Sequence, residues 1–254
     1  MRMKGKETLT MLSVSVIIIF LLAGPLPADE SNMDSGSYIN RGLTDCDNGH
    51  YDDAIFNFSK AIEIDPNSAE AYTHRGNAYR DKGMFDRALS DYNKALALDP
   101  KHISAYYNRG GAYLGQRQYD HAISDYDKVL ELNPDFVGAY SNRGVAYLYK
   151  GEFDRAIWEF TLAIQIDPKY VEAYTNRAAA LMNMGRYDEA IADDNSAIAL
   201  DPKNDLAYYN RGVAYLKNGD LDRAWDDINK AQDLGYPVNP NLLKGLWKAL
   251  QGEK

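Results

Sequence analysis

The sequence predicts an all-α fold built from stacked helical hairpins, and three observations carry that prediction. An arginine recurs every 34 residues along most of the chain. Small residues and tyrosines return at fixed places around it, three or four residues apart, which puts them on one face of a helix. Glycine and proline return at two further fixed places, where they end helices. A strict period of this length is typical of a repeat array.

The period divides the chain into six units of 34 residues, with no insertion or deletion between them. The units are 35–68, 69–102, 103–136, 137–170, 171–204 and 205–238. Numbering each unit from position 1 to position 34 puts the recurring arginine at position 7. These arginines are Arg41, Arg75, Arg109, Arg143, Arg177 and Arg211.

Each unit contains the signals for two helices. Position 4 is tyrosine in all six units, position 8 is glycine except at Ala178, and position 20 is always alanine. Small residues at positions 8 and 20 allow two helix axes to approach closely. Glycine at position 15 ends the first helix in five units, and proline at position 32 ends the second helix in the first five units, with Tyr236 there in the sixth. A single hairpin cannot bury its own apolar face, so neighbouring units must stack.

The pattern resembles the tetratricopeptide repeat (TPR) family over residues 35–238. That family usually has Trp or Tyr at position 4, Gly at position 8, Ala at positions 20 and 27, and Pro at position 32, and segments such as "YYNRGGAY" (106–113) match it. The resemblance implies a right-handed superhelical solenoid with a concave groove lined by the first helix of each unit. It also implies a binding or scaffolding role without catalysis.

The N-terminal segment 1–28 does not belong to the array. A basic start is followed by a mostly apolar run at 11–24 and then by "PLPADE", the order of regions in a secretory signal. We therefore expect cleavage after Ala28 and export to the periplasm or the medium, with 29–34 as a polar lead-in. The alternative is an uncleaved membrane tether through 11–24, although this run is shorter than the roughly 20 residues of a spanning helix.

At the other end, 239–250 forms a short amphipathic pattern. Its apolar residues are Leu242, Leu243, Leu246, Trp247 and Leu250. An array leaves its last apolar face open, so we expect a helix here that caps the sixth unit. A docking surface for another protein is the alternative, and 251–254 is a short tail.

The recurring arginine either holds the fold or lines a site. The family commonly has leucine at position 7, so an arginine there needs a partner to avoid a costly buried charge. Position 23, on the second helix, is acidic in five units. The predicted structural ion pairs are Arg75–Asp91, Arg109–Asp125, Arg143–Glu159, Arg177–Asp193 and Arg211–Asp227. In the first unit Arg41 faces Asn57, which leaves this arginine for a ligand or for solvent.

The resemblance also identifies candidate groove residues. Position 6 carries an amide in five units, and a ladder of amides can hold an extended peptide by its backbone. Local hydrogen bonding within the helix is the alternative role for these amides. The position 6 residues are Asn40, His74, Asn108, Asn142, Asn176 and Asn210. Further candidates are Asn77, Tyr107, Tyr149 and Tyr209. The lysines with which some family members clamp a terminal carboxylate are absent from positions 2 and 5.

Composition argues against other classes of function. The net charge of −9 disfavours nucleic acid and anionic lipid as partners, because both require a positive surface. The single cysteine, Cys46, rules out an internal disulfide and is either an inert thiol or a link to another chain. The four histidines lack the spacing of metal ligands, and no nucleotide-binding or nucleophile motif occurs. No catalytic residue, cofactor or metal is predicted.

Two functional hypotheses remain. In the first, an exported TPR scaffold binds a peptide segment or helix of a partner protein in its concave groove. In the second, the array is a structural subunit, or a homo-oligomer, fixed in a larger envelope or secreted complex without an exchangeable ligand. The step from repeat pattern to either role is an analogy with the family.

Overall fold

The computed structural model describes residues 33–251. Over that range the chain forms thirteen α-helices and no strand. The helices are α1 (Ser35–Asp47), α2 (Tyr51–Ile64), α3 (Ala69–Asp81), α4 (Phe85–Leu98), α5 (Ile103–Gly115), α6 (Tyr119–Leu132), α7 (Val137–Tyr149), α8 (Phe153–Ile166), α9 (Val171–Asn183), α10 (Tyr187–Leu200), α11 (Asp205–Lys217), α12 (Leu221–Leu234) and α13 (Pro240–Leu250).

The first twelve helices pair in chain order into six hairpins, so the predicted all-α repeat architecture is confirmed. In the described part of the chain each first helix also contacts the first helix of the next hairpin, whereas successive second helices do not contact one another. The array therefore curves with the odd-numbered helices α1 to α11 on its inner side. These helices therefore form the inner surface of the groove.

A close approach of the two helices explains the glycine at position 8. A Cβ atom added at Gly76 would lie 2.6 Å from the ring of Tyr92, and one added at Gly144 would lie 2.7 Å from the ring of Phe160. Repeat 5 departs from both sides of this contact, because it has Ala178 at position 8 and Asp194 in place of the ring at position 24. The extra methyl group is accommodated where the aromatic ring is missing.

The turns between helices of a hairpin contain a left-handed residue at position 15. The glycines in five repeats have φ between 74° and 82°, a conformation that glycine adopts at little cost. In repeat 3 this residue is Arg117, with φ 60°. Among the described residues it is the sole non-glycine with a positive φ.

The C-terminal end of the array is covered by α13. Leu246 is 3% exposed and belongs to an apolar cluster with Ile228 and Val238, and the rings of Trp225 and Trp247 lie 5.3 Å apart. Asn239 caps the start of the helix by accepting a hydrogen bond from a backbone N–H.

The N-terminal end of the array is polar. Positions 3 and 10 are alanines without solvent exposure in repeats 2 to 6, since each lies against the preceding hairpin. In repeat 1 these positions are Ser37 and Thr44, and both are exposed. Repeat 1 thus replaces the buried stacking surface with hydroxyl groups.

No helix within 33–251 has the length and apolar content needed to cross a membrane. The predicted signal or tether at 1–28, most of the lead-in and most of the C-terminal tail lie outside the described residues. The expectations for these segments therefore remain predictions.

Candidate peptide-binding groove

The structure brings five of the arginines to the five acids predicted for them. Four of the arginines donate two hydrogen bonds each to an aspartate, at 2.6 to 2.8 Å. The fifth, Arg143, donates one bond of 2.8 Å to Glu159 and leaves its Nε atom buried without a partner. Burial raises the pKa of Glu159 and of Asp125, and the adjacent arginine opposes that shift in both.

Each of these arginines also reaches into the preceding repeat. The Nη1 atom donates a hydrogen bond of 2.5 to 3.0 Å to the residue at position 25 of that preceding repeat. Within its own repeat, the guanidinium lies 5.4 to 5.9 Å from the ring of the tyrosine at position 4. The acceptors are Ser59, Asn93, Asp127, Thr161 and Asn195. One arginine therefore connects three helices.

A second set of polar contacts joins neighbouring repeats near the turns. The side chain at position 14 of one repeat donates a hydrogen bond to the aspartate at position 18 of the preceding repeat. Gln116 bonds Asp86 at 3.0 Å, and Lys150 bonds Asp120 at 2.6 Å. Lys82 with Asp52 and Asn218 with Asp188 complete the set. Repeat 5 has Met184 at position 14, which cannot donate such a bond.

The six residues at position 6 lie on the inner helices but are not equivalent. Asn108 accepts a hydrogen bond from Arg80 at 2.9 Å, and Asn142 donates one to the hydroxyl of Tyr107 at 3.0 Å. Asn210 is only 6% exposed. The amides open to a ligand are therefore a subset of the predicted ladder, and they include the exposed Asn40 and the half-buried Asn176.

His74 takes the place of an amide at position 6 in repeat 2. Its ring stacks on Phe58 with 5.6 Å between centroids, and its Nε2 atom lies 3.6 Å from a carboxylate oxygen of Glu70. Burial lowers the pKa of His74, and the nearby Glu70 opposes the shift. The side chain serves the packing between repeats 1 and 2 and is partly withdrawn from the groove.

Three of the other four predicted groove residues are engaged within the protein. Asn77 accepts a hydrogen bond of 2.8 Å from the hydroxyl of Tyr92. Tyr107 packs against Phe136 with 4.9 Å between ring centroids, and burial raises its pKa. Tyr209 stacks on Tyr236 at 4.2 Å.

Tyr149 differs from those three because its side chain faces an open cleft. The residue is 65% exposed, and its ring stacks on Tyr119 with 5.8 Å between centroids. The cleft has a volume of about 640 Å³ and lies between α5, α7 and the turn that follows α5. Its lining is formed by Gly111, Leu114, Gly115, Arg117, Tyr119, Val145 and Tyr149.

Sequence comparison agrees with this geometry. A family model described as "TPR repeat" matches residues 42–83, 76–117, 146–185 and 180–219. Three models described as "Tetratricopeptide repeat" match 103–136, 125–157 and 206–234. The chain belongs to the tetratricopeptide repeat family. Members of this family are generally scaffolds for protein interaction.

Several solved TPR structures are similar to this TPR protein. A protein titled MamA is 29% identical, with 66% of this chain and 92% of that chain covered and a TM-score of 0.58. YrrB, titled a TPR protein with an unusual peptide-binding site, is 26% identical over 76% of this chain and 97% of its own, with a TM-score of 0.58. A TPR protein from Parabacteroides merdae is 27% identical over 89% and 87%, with a TM-score of 0.67. No curated protein matches the sequence.

Among the described residues of this TPR array, one carboxyl group is buried without a hydrogen-bond partner. Asp194 has no solvent exposure, and neither of its carboxylate oxygens has a hydrogen-bond partner. Burial, reinforced by Asp193, raises its pKa to about 9. The carboxyl group is therefore neutral at physiological pH.

The described residues hold no group of His, Cys, Asp and Glu side chains that could bind a metal ion. Cys46 is half-buried, and burial raises the pKa of its thiol, which disfavours the reactive thiolate.

Proposed function

We propose that this TPR protein is a scaffold that holds a peptide segment or helix of a partner protein against its inner helices. The observation that carries the proposal is that these helices present half-exposed side chains that the packing of the array does not require. Asn176 and Val213 are examples, because both lie on inner helices and neither is fully buried. The similarity to YrrB, a protein named for its peptide-binding site, supports the same role.

We also propose that the protein works outside the cytoplasm, either free in the periplasm or the medium or held by 11–24 in the membrane. The support is the order of charged, apolar and polar residues within 1–28. The mass of the protein recovered from the exported fraction tests this. Loss of residues 1–28 is expected, and a full-length protein in the membrane fraction would favour the tether.

The groove is tested by capturing partners from the exported fraction with the wild-type protein and two variants. Asn176→Ala/Val213→Glu alters α9 and α11 on the inner side. Trp158→Ala is the control, since this residue is exposed on the second helix α8. We expect a partner that the control retains and the groove variant loses.

Two other outcomes would contradict the proposal. A partner held equally by all three proteins would place binding away from the inner helices. Light scattering that shows a defined oligomer, with the groove variant dissociating it, would instead favour the second hypothesis of a self-associating structural subunit.

A further inference from the structure

Three departures from the repeat pattern fall in repeat 3, and all three line the cleft beside Tyr149. Gly111 occupies position 9, where every other repeat has a side chain. Gly115 occupies position 13, where every other repeat also has a side chain. Arg117 occupies position 15, where the other five repeats have glycine. Three departures within 111–117 that gather around one cavity indicate a local purpose for that cavity.

The space above Gly111 is not needed by the fold. A Cβ atom added at Gly111 would have its nearest neighbour, the hydroxyl of Tyr126, at 3.9 Å, which is an ordinary contact. At Gly115 the added atom would lie 3.0 Å from the ring of Phe85, so packing accounts for that glycine. Gly111 therefore leaves room in the cleft that a larger residue could have filled without disturbing the helices.

Arg117 adopts the left-handed conformation that the turn requires and that glycine adopts in the other five repeats. A left-handed conformation is unfavourable for a non-glycine residue, and φ at Arg117 is 60°. Its side chain is exposed and forms no ion pair or hydrogen bond with any of the described residues. The turn imposes the conformation, but no contact requires the residue to be arginine, and non-glycine residues held in such conformations cluster at functional sites.

The wall opposite the glycines is aromatic and apolar. Tyr149 is 65% exposed, and its ring is held by stacking on Tyr119 at an interplanar angle of 16°. Leu114 and Val145 complete the apolar surface. The cleft thus combines a fixed aromatic ring, an apolar floor and an unpaired guanidinium, in a chain whose net charge is −9.

We propose that this cleft recognises a partner segment in which a carboxylate lies next to an aromatic or large aliphatic side chain. The apolar side chain enters above Gly111 and packs on Tyr149, and the carboxylate accepts hydrogen bonds from Arg117. This inference rests on the proposed groove function and assigns its main specificity to the junction of repeats 3 and 4.

The structure offers a variant that separates binding from folding. Arg117→Gly removes the guanidinium and also relieves the backbone strain, so the melting temperature is expected to rise while binding weakens. Gly111→Val fills the cleft with the residue found at the same position in repeats 4 and 6. Trp158→Ala on the outer helix α8 is again the control.

The probe is the blocked peptide acetyl-Gly-Ser-Glu-Phe-Gly-Ser-amide, titrated into the isotope-labelled protein and followed by the backbone amide signals of Gly111, Gly115 and Arg117. Comparison peptides replace the Glu with Gln or the Phe with Ser. We expect the Glu-Phe peptide to shift these signals, and the dissociation constant to rise about tenfold with either comparison peptide, with Arg117→Gly and with Gly111→Val.

Equal binding of the Glu-Phe and Gln-Phe peptides, or unchanged binding by Arg117→Gly, would overturn the assignment of the arginine. Absence of any shift at the three amides would overturn the cleft as a binding site. The partner capture distinguishes the two proposals. A partner lost by Asn176→Ala/Val213→Glu but kept by Arg117→Gly would remove the cleft and leave the groove function standing.

Discussion

Among the five acidic residues at position 23, Glu159 is unusual. Asp91, Asp125, Asp193 and Asp227 each accept two bonds from their arginine, but Glu159 accepts one and leaves Arg143 Nε unsatisfied. We expect Glu159→Asp to restore the second bond and raise the free energy of unfolding by about 1 kcal/mol. Urea denaturation measures the change.

The reverse substitution is the control for that prediction. Asp125→Glu places the longer acid where two bonds exist, at 2.6 and 2.8 Å, and should lower stability by a similar amount. If both substitutions shift the urea midpoint in the same direction, the number of hydrogen bonds to arginine does not govern stability at this position.

Asp194 gives the array a dependence on pH. Its pKa is about 9 in the folded state, against an ordinary value of 3.8. The folded state therefore binds more protons than the unfolded state between these two values. The contribution of Asp194 to stability is full below the lower value, falls as pH rises between the two values and is lost once pH exceeds the upper one. We expect Asp194→Asn to reduce this decline, which denaturation at a series of pH values tests. An identical pH dependence in both proteins would contradict the shift.

The same residue offers a test of the helix contact. In repeats 1 to 4 a glycine faces an aromatic ring, whereas repeat 5 has Ala178 facing Asp194. Asp194→Phe alone should destabilise the protein because the ring meets the methyl group of Ala178. Asp194→Phe/Ala178→Gly should be more stable than the wild type, since it buries a ring in the repeat 4 geometry. Additive effects in the thermal unfolding of the single and double variants would show that the two sites are independent.

Whether a side-chain contact can be predicted from the sequence depends on where the contacted residue lies in the repeat array. The pairing of Arg75 with Asp91 is predictable because arginine recurs at position 7 and an acid at position 23, on the two helices of one hairpin. The third contact, from Arg75 to Ser59, was missed because the acceptor lies in the preceding repeat, although position 25 is polar in all six units. The stacking of Tyr209 on Tyr236 depends on the path of the chain after α12. The recurring residues of the repeat do not determine that path.

Among the helices, α13 has the most distinct role in stability. Leu246 is buried against the end of the sixth hairpin, and Lys248 on the same helix is exposed. We expect Leu246→Ala to cost about 2–5 kcal/mol and Lys248→Ala to have little effect. Thermal denaturation with amide exchange of α12 measures both. Equal effects would indicate that α13 does not stabilise α12.

Helix positions were more predictable than helix contacts. Glycine and proline set the ends of the hairpin helices, because the backbone conformations they favour or exclude are local properties. The amphipathic pattern of 239–250, with apolar residues spaced three or four apart, likewise indicates a helix. The contact between Trp225 and Trp247 is not local, and the sequence contained no periodic signal for it.

For the molecule as a whole, we expect uneven resistance to local opening. A repeat array opens in segments whose stability depends on the contacts within and between neighbouring units. α10 contains Asp194 where α6 contains the fully buried ring of Tyr126. Amide hydrogen exchange should therefore be faster in α10 than in α6, and Asp194→Phe/Ala178→Gly should slow it. Equal protection of the two helices in the wild-type protein would contradict this expectation.

Because each arginine at position 7 of repeats 2 to 6 connects three helices, the number of repeats in such a chain can change during evolution. Every junction uses an arginine donor, an acid at position 23 and a polar side chain at position 25 of the preceding unit. Excision of 137–170, for example, would bring Arg177 beside Asp127, the residue that Arg143 bonds now. Duplication or loss of one of repeats 2 to 6 at the level of the gene therefore leaves each of these arginines with an acid and a second acceptor. The length of the surface offered to a partner is free to vary in whole steps, while each junction keeps its arginine, its acid and a second acceptor.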